Sequence, residues 1–247
     1  MPSYYYNRTK LRGGNYESLN CSGTIIMLGA IKTEVMRMSG DFFGEYTLKA
    51  GTLHMTGSLR VPQLRCGSAF WYGNSVTRCN MQVSQHLSIT GQFIGEGTIV
   101  SPVVRMSGTI SYNGPITARE ITAYGVLTLG KIEADAIHLD FSDRSLCTAI
   151  KGKQIVLTPR RKSFIKRLLL PAQSVNNTVL TVTEGITGDN VVLERIFADT
   201  VTGNDVIIGP GCQINKVYYR DHIYIDEASY VGWYEPLPDP SEKTGNP

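Results

Sequence analysis

The sequence predicts an all-β chain: a parallel right-handed β-helix with about 17 residues per coil. Two observations carry that expectation, a glycine that returns at a fixed spacing and apolar residues that keep one parity around it. The phrase "RMSGDF" from Arg37 comes back as "HMTGSL" from His54, "SITGQF" from Ser88 and "RMSGTI" from Arg105. Gly40 to Gly57 is 17 residues, Gly57 to Gly91 is 34, and Gly91 to Gly108 is 17 again. The same ruler lands on Gly23 and Gly125, with the skipped unit at Asn74, beside Gly73.

Three columns of residues test the period. Two residues after the marker stand Ile25, Phe42, Leu59, Val76, Phe93, Ile110 and Leu127. Two before it, from Gly40 onward, stand Met38, Met55, Tyr72, Ile89, Met106 and Ala123, and four before it Met36, Leu53, Phe70, Leu87, Val104 and Ile121. Every one of these positions is apolar in a chain only 42% hydrophobic, so chance does not account for the pattern. Minus four, minus two and plus two share the marker's parity, which is the period-two signature of strands with one buried face. A unit of 17 residues accommodates short strands joined by tight corners, and glycine at a corner adopts backbone angles closed to other residues. Coils stacked in register then put like residue over like, about 4.8 Å apart, and bury ladders of Ile, Leu, Val, Phe and Met.

The elements follow in chain order. Residues 1–20, with the aromatic run Tyr4, Tyr5, Tyr6, read as an N-terminal segment or cap, and residues 21–150 as the main β-helix. The pattern fades after Leu139, and residues 151–177 read as a basic, hydrophobic interruption. Within it Arg160, Arg161, Lys162, Lys166 and Arg167 surround Phe164, Ile165, Leu168, Leu169 and Leu170. That stretch is too short to span a bilayer, but cations beside bulky apolar groups suit an anionic lipid surface; packing of the apolar residues on the solenoid is the other reading. Strand signals resume over residues 178–232, where "TGDNVVL" returns as "TGNDVII", and Pro-rich residues 233–247 read as a disordered tail.

Composition bounds the function. A net charge of +3 with 18% charged residues implies no nucleic-acid partner. The first twenty residues lack the apolar core of a signal peptide, and five scattered cysteines without a C-x-x-C fit reduced thiols, so a cytoplasmic location is expected. No nucleotide-binding glycine motif occurs, and no cofactor is expected.

The "MSG/MTG" coils from Gly23 to Leu139, the basic interruption and the "ADTVTGNDVIIGPGCQINKVYY" ending together resemble the bactofilins, over about residues 20–232. The resemblance implies a cytoplasmic β-helix, peripheral to the inner face of the cell membrane. It also implies end-to-end assembly into nucleotide-independent filaments that scaffold cell shape, division or flagellar assembly and dock client proteins. Physics gives a separate reason for assembly, since an uncapped β-helix ends in unpaired backbone groups and open core side chains. On this reading a first coil with Ile25, Ile26, Leu28 and Ile31 and a last coil with Ile223, Ile225 and Val231 form the joint.

Two other classes share the fold. A β-helical enzyme needs convergent groups, yet Glu45 and Glu96 share a column three coils apart, roughly 14 Å. Glu133, Asp135 and Asp140 read as solvated charge, and His54, His86, His138 and His222 fall in different columns, so no metal or acyl-transfer set is expected. A non-polymerising adaptor that uses the β-helix as a display surface is the remaining alternative.

Overall fold

The computed structural model describes residues 2–5, 9–160 and 178–238. All of their regular structure is strand, and every strand pairing is parallel. The strands are β1 (Pro2–Tyr5), β2 (Thr9–Leu11), β3 (Gly14–Met27), β4 (Ile31–Gly44), β5 (Leu48–Glu96) and β6 (Ile99–Asn113). They continue as β7 (Ile116–Phe141), β8 (Arg144–Pro159), β9 (Val179–Leu193), β10 (Ile196–Ile208), β11 (Gln213–Ile225) and β12 (Tyr230–Pro236). Each pairs with the next along the chain, with β1 and β2 both lying on β3, so the molecule is a β-solenoid that winds in sequence order. Extended backbone runs around the corners, which is why β5 continues for 49 residues.

Register follows the sequence period. Gly23, Gly40 and Gly57 are direct partners, as are Gly91, Gly108 and Gly125. The glycine is obligatory at this corner: Gly108 has φ of 125°, and a Cβ there would collide with the carbonyl oxygen of Gly91 beneath it. Of the three predicted columns, Ile25, Phe42, Leu59, Phe93, Ile110 and Leu127 are at most 1% exposed. The residues two and four before those markers are buried too.

The coil skipped by the glycine ruler departs from this. Its marker is Gly73, sixteen residues after Gly57 and eighteen before Gly91, whose Cβ position lies against the Gly73 carbonyl. One coil is therefore a residue short and the next a residue long, with the irregularity at Gln82 to His86. A one-residue slip exchanges the two faces of a strand. Trp71 and Ala69 thus enter the core in place of the expected Tyr72 and Phe70, and Ser75 takes the ladder position expected for Val76. Trp71 is 1% exposed and Tyr72 45%. The Ser75 hydroxyl bonds the Gly57 amide and the Tyr72 carbonyl at 3.4 and 3.3 Å, so the buried polar residue is satisfied by the corner it closes. Trp71, Phe93 and Tyr112 then form an aromatic run through the core, with ring centroids 6.0 and 6.3 Å apart. Gly95 makes room for it, because a side chain there would press on the Tyr112 ring.

The domain boundaries also need correction. Residues 151–159 are not an interruption but the end of β8, which pairs in register with β9 through Ile150–Ile186 and Ile155–Val191. The stretches 21–150 and 178–232 are one solenoid with one continuous core. The period fades from the sequence because Asp143 and Arg195 take the left-handed corner conformation, with φ of 52° and 56°, where earlier coils use glycine. At Asp143 the same serine device recurs: Ser145 accepts from the Leu127 amide at 3.0 Å and donates to the Ser142 carbonyl at 3.0 Å. Residues assigned to the cap and the tail also belong to the solenoid, as β1, β2 and the start of β3 at one end and the last residues of β12 at the other. Residues 161–177 and 239–247 lie outside the described residues.

Replacing Trp71 or Phe93 by Ala is expected to cost about 3–5 kcal/mol in denaturant unfolding, whereas Tyr72→Ala should change stability by no more than about 0.5 kcal/mol. Equal losses at Trp71 and Tyr72 would contradict the slipped register.

Candidate assembly interfaces

The solenoid's two ends differ in chemistry. At the C-terminal end four core columns stop at Ile223, Ile225, Val231 and Tyr234, stacked on Val206, Ile208, Ile214 and Val217. The four residues beneath are at most 1% exposed, yet none of the four on top is fully buried and Tyr234 is 53% exposed. Among the described residues no strand pairs with the outer edge of β12 or with the outer edge of His222 to Ile225. Open ladder groups and open apolar side chains therefore coincide on one face, which is the physical definition of a pairing edge. Tyr234 is absent from the predicted set because Pro-rich composition places it in the tail. Its signal is the spacing of 17 residues from Val217, which continues the core column through "YVGWYEP".

The N-terminal end is more polar. Ser3 lies on Leu19, Tyr5 on Cys21, Thr9 on Ile25 and Leu11 on Met27. Three of these four top-layer residues carry hydroxyls, and Leu11 is 1% exposed. Backbone bonds fasten this layer, with the Leu28 amide donating to the Leu11 carbonyl at 2.8 Å and the Gly14 amide to the Ala30 carbonyl at 2.9 Å.

This arrangement corrects half of the predicted joint. Ile25 and Ile31 are fully buried with a coil on each side and present nothing to a partner end. The reason is that Pro2–Tyr5 and Thr9–Leu11 form β1 and β2, an additional layer that the sequence does not advertise by any glycine marker. Ile26 and Leu28 face sideways, half-buried and exposed respectively, away from either end. Ile223, Ile225 and Val231 do lie together at the C-terminal end. Of the predicted membrane-contact residues, only Arg160 is described; it is exposed and its amide donates to the Phe141 carbonyl at 2.7 Å. Arg161, Lys162, Phe164, Ile165, Lys166, Arg167, Leu168, Leu169 and Leu170 lie outside the described residues. No helix among the described residues is long and apolar enough to cross a membrane.

The remaining chemistry is dispersed. Glu133, Asp135 and Asp140 do not cluster; they contact Lys151 at 2.9 Å, Lys153 at 2.7 Å and His138 at 3.0 Å. Such exposed pairs are screened by solvent and add little to stability. All five cysteines are free and buried, and burial pushes the thiols of Cys66 and Cys147 up to about 12 and those of Cys21 and Cys79 up to about 11. No group of three or more potential metal ligands occurs among the described residues. One placement differs from expectation: the slipped coil brings His54 and His86 onto one face, on either side of Phe70, with ring centroids 5.0 and 5.9 Å from it. Partial burial lowers both imidazole pKa values from the ordinary 6.5, and Arg37 beside His54 and Arg105 beside His86 lower them further.

A base whose folded-state pKa is depressed binds fewer protons folded than unfolded, so its contribution to stability falls as pH drops below the unfolded value. The unfolding midpoint should accordingly fall between about pH 7.5 and about pH 5.5, and a His54→Gln, His86→Gln double variant should lose part of that dependence. An unchanged slope in thermal melts of the double variant would contradict it.

Comparison with known proteins places two curated relatives beside this chain. It is 33% identical over 107 residues to the uncharacterized protein YhbF of Bacillus subtilis (strain 168), covering 43% of this chain and 40% of the relative. It is 34% identical over 103 residues to the uncharacterized protein YhbE of the same organism, covering 41% of each. The matched region thus spans about two fifths of the length of each curated relative. No protein-family model and no solved structure matches.

Proposed function

We propose that this protein is a structural element that assembles end to end, without a nucleotide, into filaments of the bactofilin kind, and that the joint is built on the C-terminal end of the core. One observation carries the reading: the fully buried columns of Val206, Ile208, Ile214 and Val217 terminate in the incompletely covered Ile223, Ile225, Val231 and Tyr234, beside a strand edge that no other strand among the described residues pairs. Adding a coil to that face continues the same ladders and removes apolar surface from water at about 25 cal/mol per Å², opposed by the entropy of association. The joint consists of backbone ladder bonds and apolar contact, so its formation requires no hydrolysable ligand. Scaffolding of client proteins at an anionic membrane surface, with residues 160–170 as the lipid contact, is part of the same reading. Its motive is the coincidence of cations with bulky apolar residues in that segment.

The polar N-terminal layer favours a second reading, in which the chain is a discrete adaptor whose assembly stops at a C-terminal pair. Sedimentation and negative-stain microscopy of the purified protein without nucleotide separate the two, filaments supporting the first and small particles the second. Under the first reading, Ile225→Arg and Val231→Arg each place a cation in a desolvated stack at a cost of several kcal/mol, enough to abolish a weak joint. Both variants should keep the wild-type circular dichroism spectrum, because a terminal coil serves only one neighbour, and should sediment as short species. Folded charged variants that still form wild-type filaments would sink the joint. For the membrane contact, Leu168, Leu169 and Leu170 changed together to Ser should abolish flotation with anionic vesicles; equal flotation of variant and wild type removes that segment as the anchor.

A further inference from the structure

One outward-facing column runs the length of the solenoid and carries apolar or aromatic side chains at seven of its thirteen positions, where an exposed column of a water-facing sheet is ordinarily polar. Its members are register partners: Lys10–Ile26–Phe43–Arg60 on the early coils, Ile94–Ser111–Thr128–Leu146 in the middle, and Thr181–Phe197–Gln213–Tyr230 on the late ones. Leu146 pairs with Thr181, and Val76 supplies the intervening coil, standing three residues past Gly73 as Ile94 stands past Gly91. Exposure reaches 60% at Ile94, 42% at Leu146 and 64% at Tyr230. The column needs none of these apolar groups for the core, since the residues flanking them in the chain are the ones turned inward.

We infer that this column is a lateral contact between two copies of the chain lying side by side and antiparallel, with Ser111 at the two-fold axis. The order of residues along the column selects that partner. Ser111 has as many positions before it as after, and reversal about it sets Phe43 opposite Phe197, Val76 opposite Leu146, and Ile94 opposite Thr128. Arg60, whose guanidinium lies 5.4 Å from the centre of the Phe43 ring, then faces Thr181, and Lys10 faces the aromatic Tyr230. Parallel packing on the same column would instead set Arg60 against Arg60 and Lys10 against Lys10, so charge decides the direction. An isologous pair of this type closes on itself. A strip roughly 55 Å long at about 4.8 Å per coil and about 10 Å wide covers roughly 550 Å² per partner, the size of a weak, concentration-dependent contact. The contact is independent of the end joint, and combined with it would bind filaments in pairs.

The burial of all five native thiols makes an added surface cysteine the reactive one. Ser111→Cys, Phe43→Cys and Phe197→Cys variants of the full chain are treated separately with a short bis-maleimide, which spans the roughly 10 Å between facing sheets. Ser111→Cys alone should give a covalent dimer. Phe43→Cys and Phe197→Cys should each give little alone and a dimer when mixed. Repeating the Ser111→Cys reaction with Ile225→Arg present separates the two interfaces: the lateral dimer should persist while larger species vanish. Adding Leu146→Arg to Ser111→Cys, which sets a cation against Val76 of the other copy in a chain that keeps its circular dichroism, should abolish the dimer. Absence of a Ser111→Cys dimer overturns the inference, as does its survival beside Arg at position 146. Self-cross-linking of Phe197→Cys as strong as that of Ser111→Cys would establish parallel packing and overturn it equally.

Discussion

Everything in this molecule depends on one constraint, the in-register parallel stacking of successive coils through backbone hydrogen bonds. Each coil is the template for the next, so a residue's environment is set by what occupies its column one turn earlier and one turn later rather than by its chain neighbours. The corner at Gly40, Gly57, Gly91, Gly108 and Gly125 makes this repeatable. The carbonyl of one coil there occupies the space that a Cβ of the next would need, and a positive φ turns the chain without widening the column.

Because the columns are rigid, irregularities are absorbed locally and in compensating pairs. A coil one residue short is followed by one a residue long, and register is restored by Gly91 on Gly73. The cost is a change of face for a whole strand, and the composition accommodates it: the indole of Trp71 fills the interior while Tyr72 and Phe70 meet solvent and the histidines. Ser75 and Ser145 show a second kind of compensation, in which a hydroxyl enters the core column and is satisfied by the corner backbone.

The same stacking rule makes the ends the chemically distinctive parts. A ladder has no intrinsic stop, so it ends either by changing residue type, as where Ser3, Tyr5 and Thr9 overlie Leu19, Cys21 and Ile25, or by leaving apolar residues on top, as at Val231 and Tyr234. That asymmetry, more than any pocket or charged cluster, distinguishes this surface from an ordinary solvated sheet.

By itself the sequence determined the coil length, the parallel β-helix and the inward parity of six of the seven coils tested, because a side chain's direction in a strand depends only on local parity once the corner is marked. Ile223, Ile225 and Val231 at one end were legible for the same reason. Parity counted from Asn74 failed, however, since a missing residue in one coil and an extra one in the next leave the sum of 34 unchanged. The tertiary structure alone decided how far the stack extends beyond the legible coils at each end. Ile25 and Ile31 are interior because β1 and β2 lie over them, and Tyr234 is terminal because β12 extends the last coil. Neither layer carries a glycine marker, and the late corners at Asp143 and Arg195 dispense with glycine too. Where the corner signal is absent, only the pairing of one coil on another fixes register, and pairing is a property of the folded stack rather than of any local stretch.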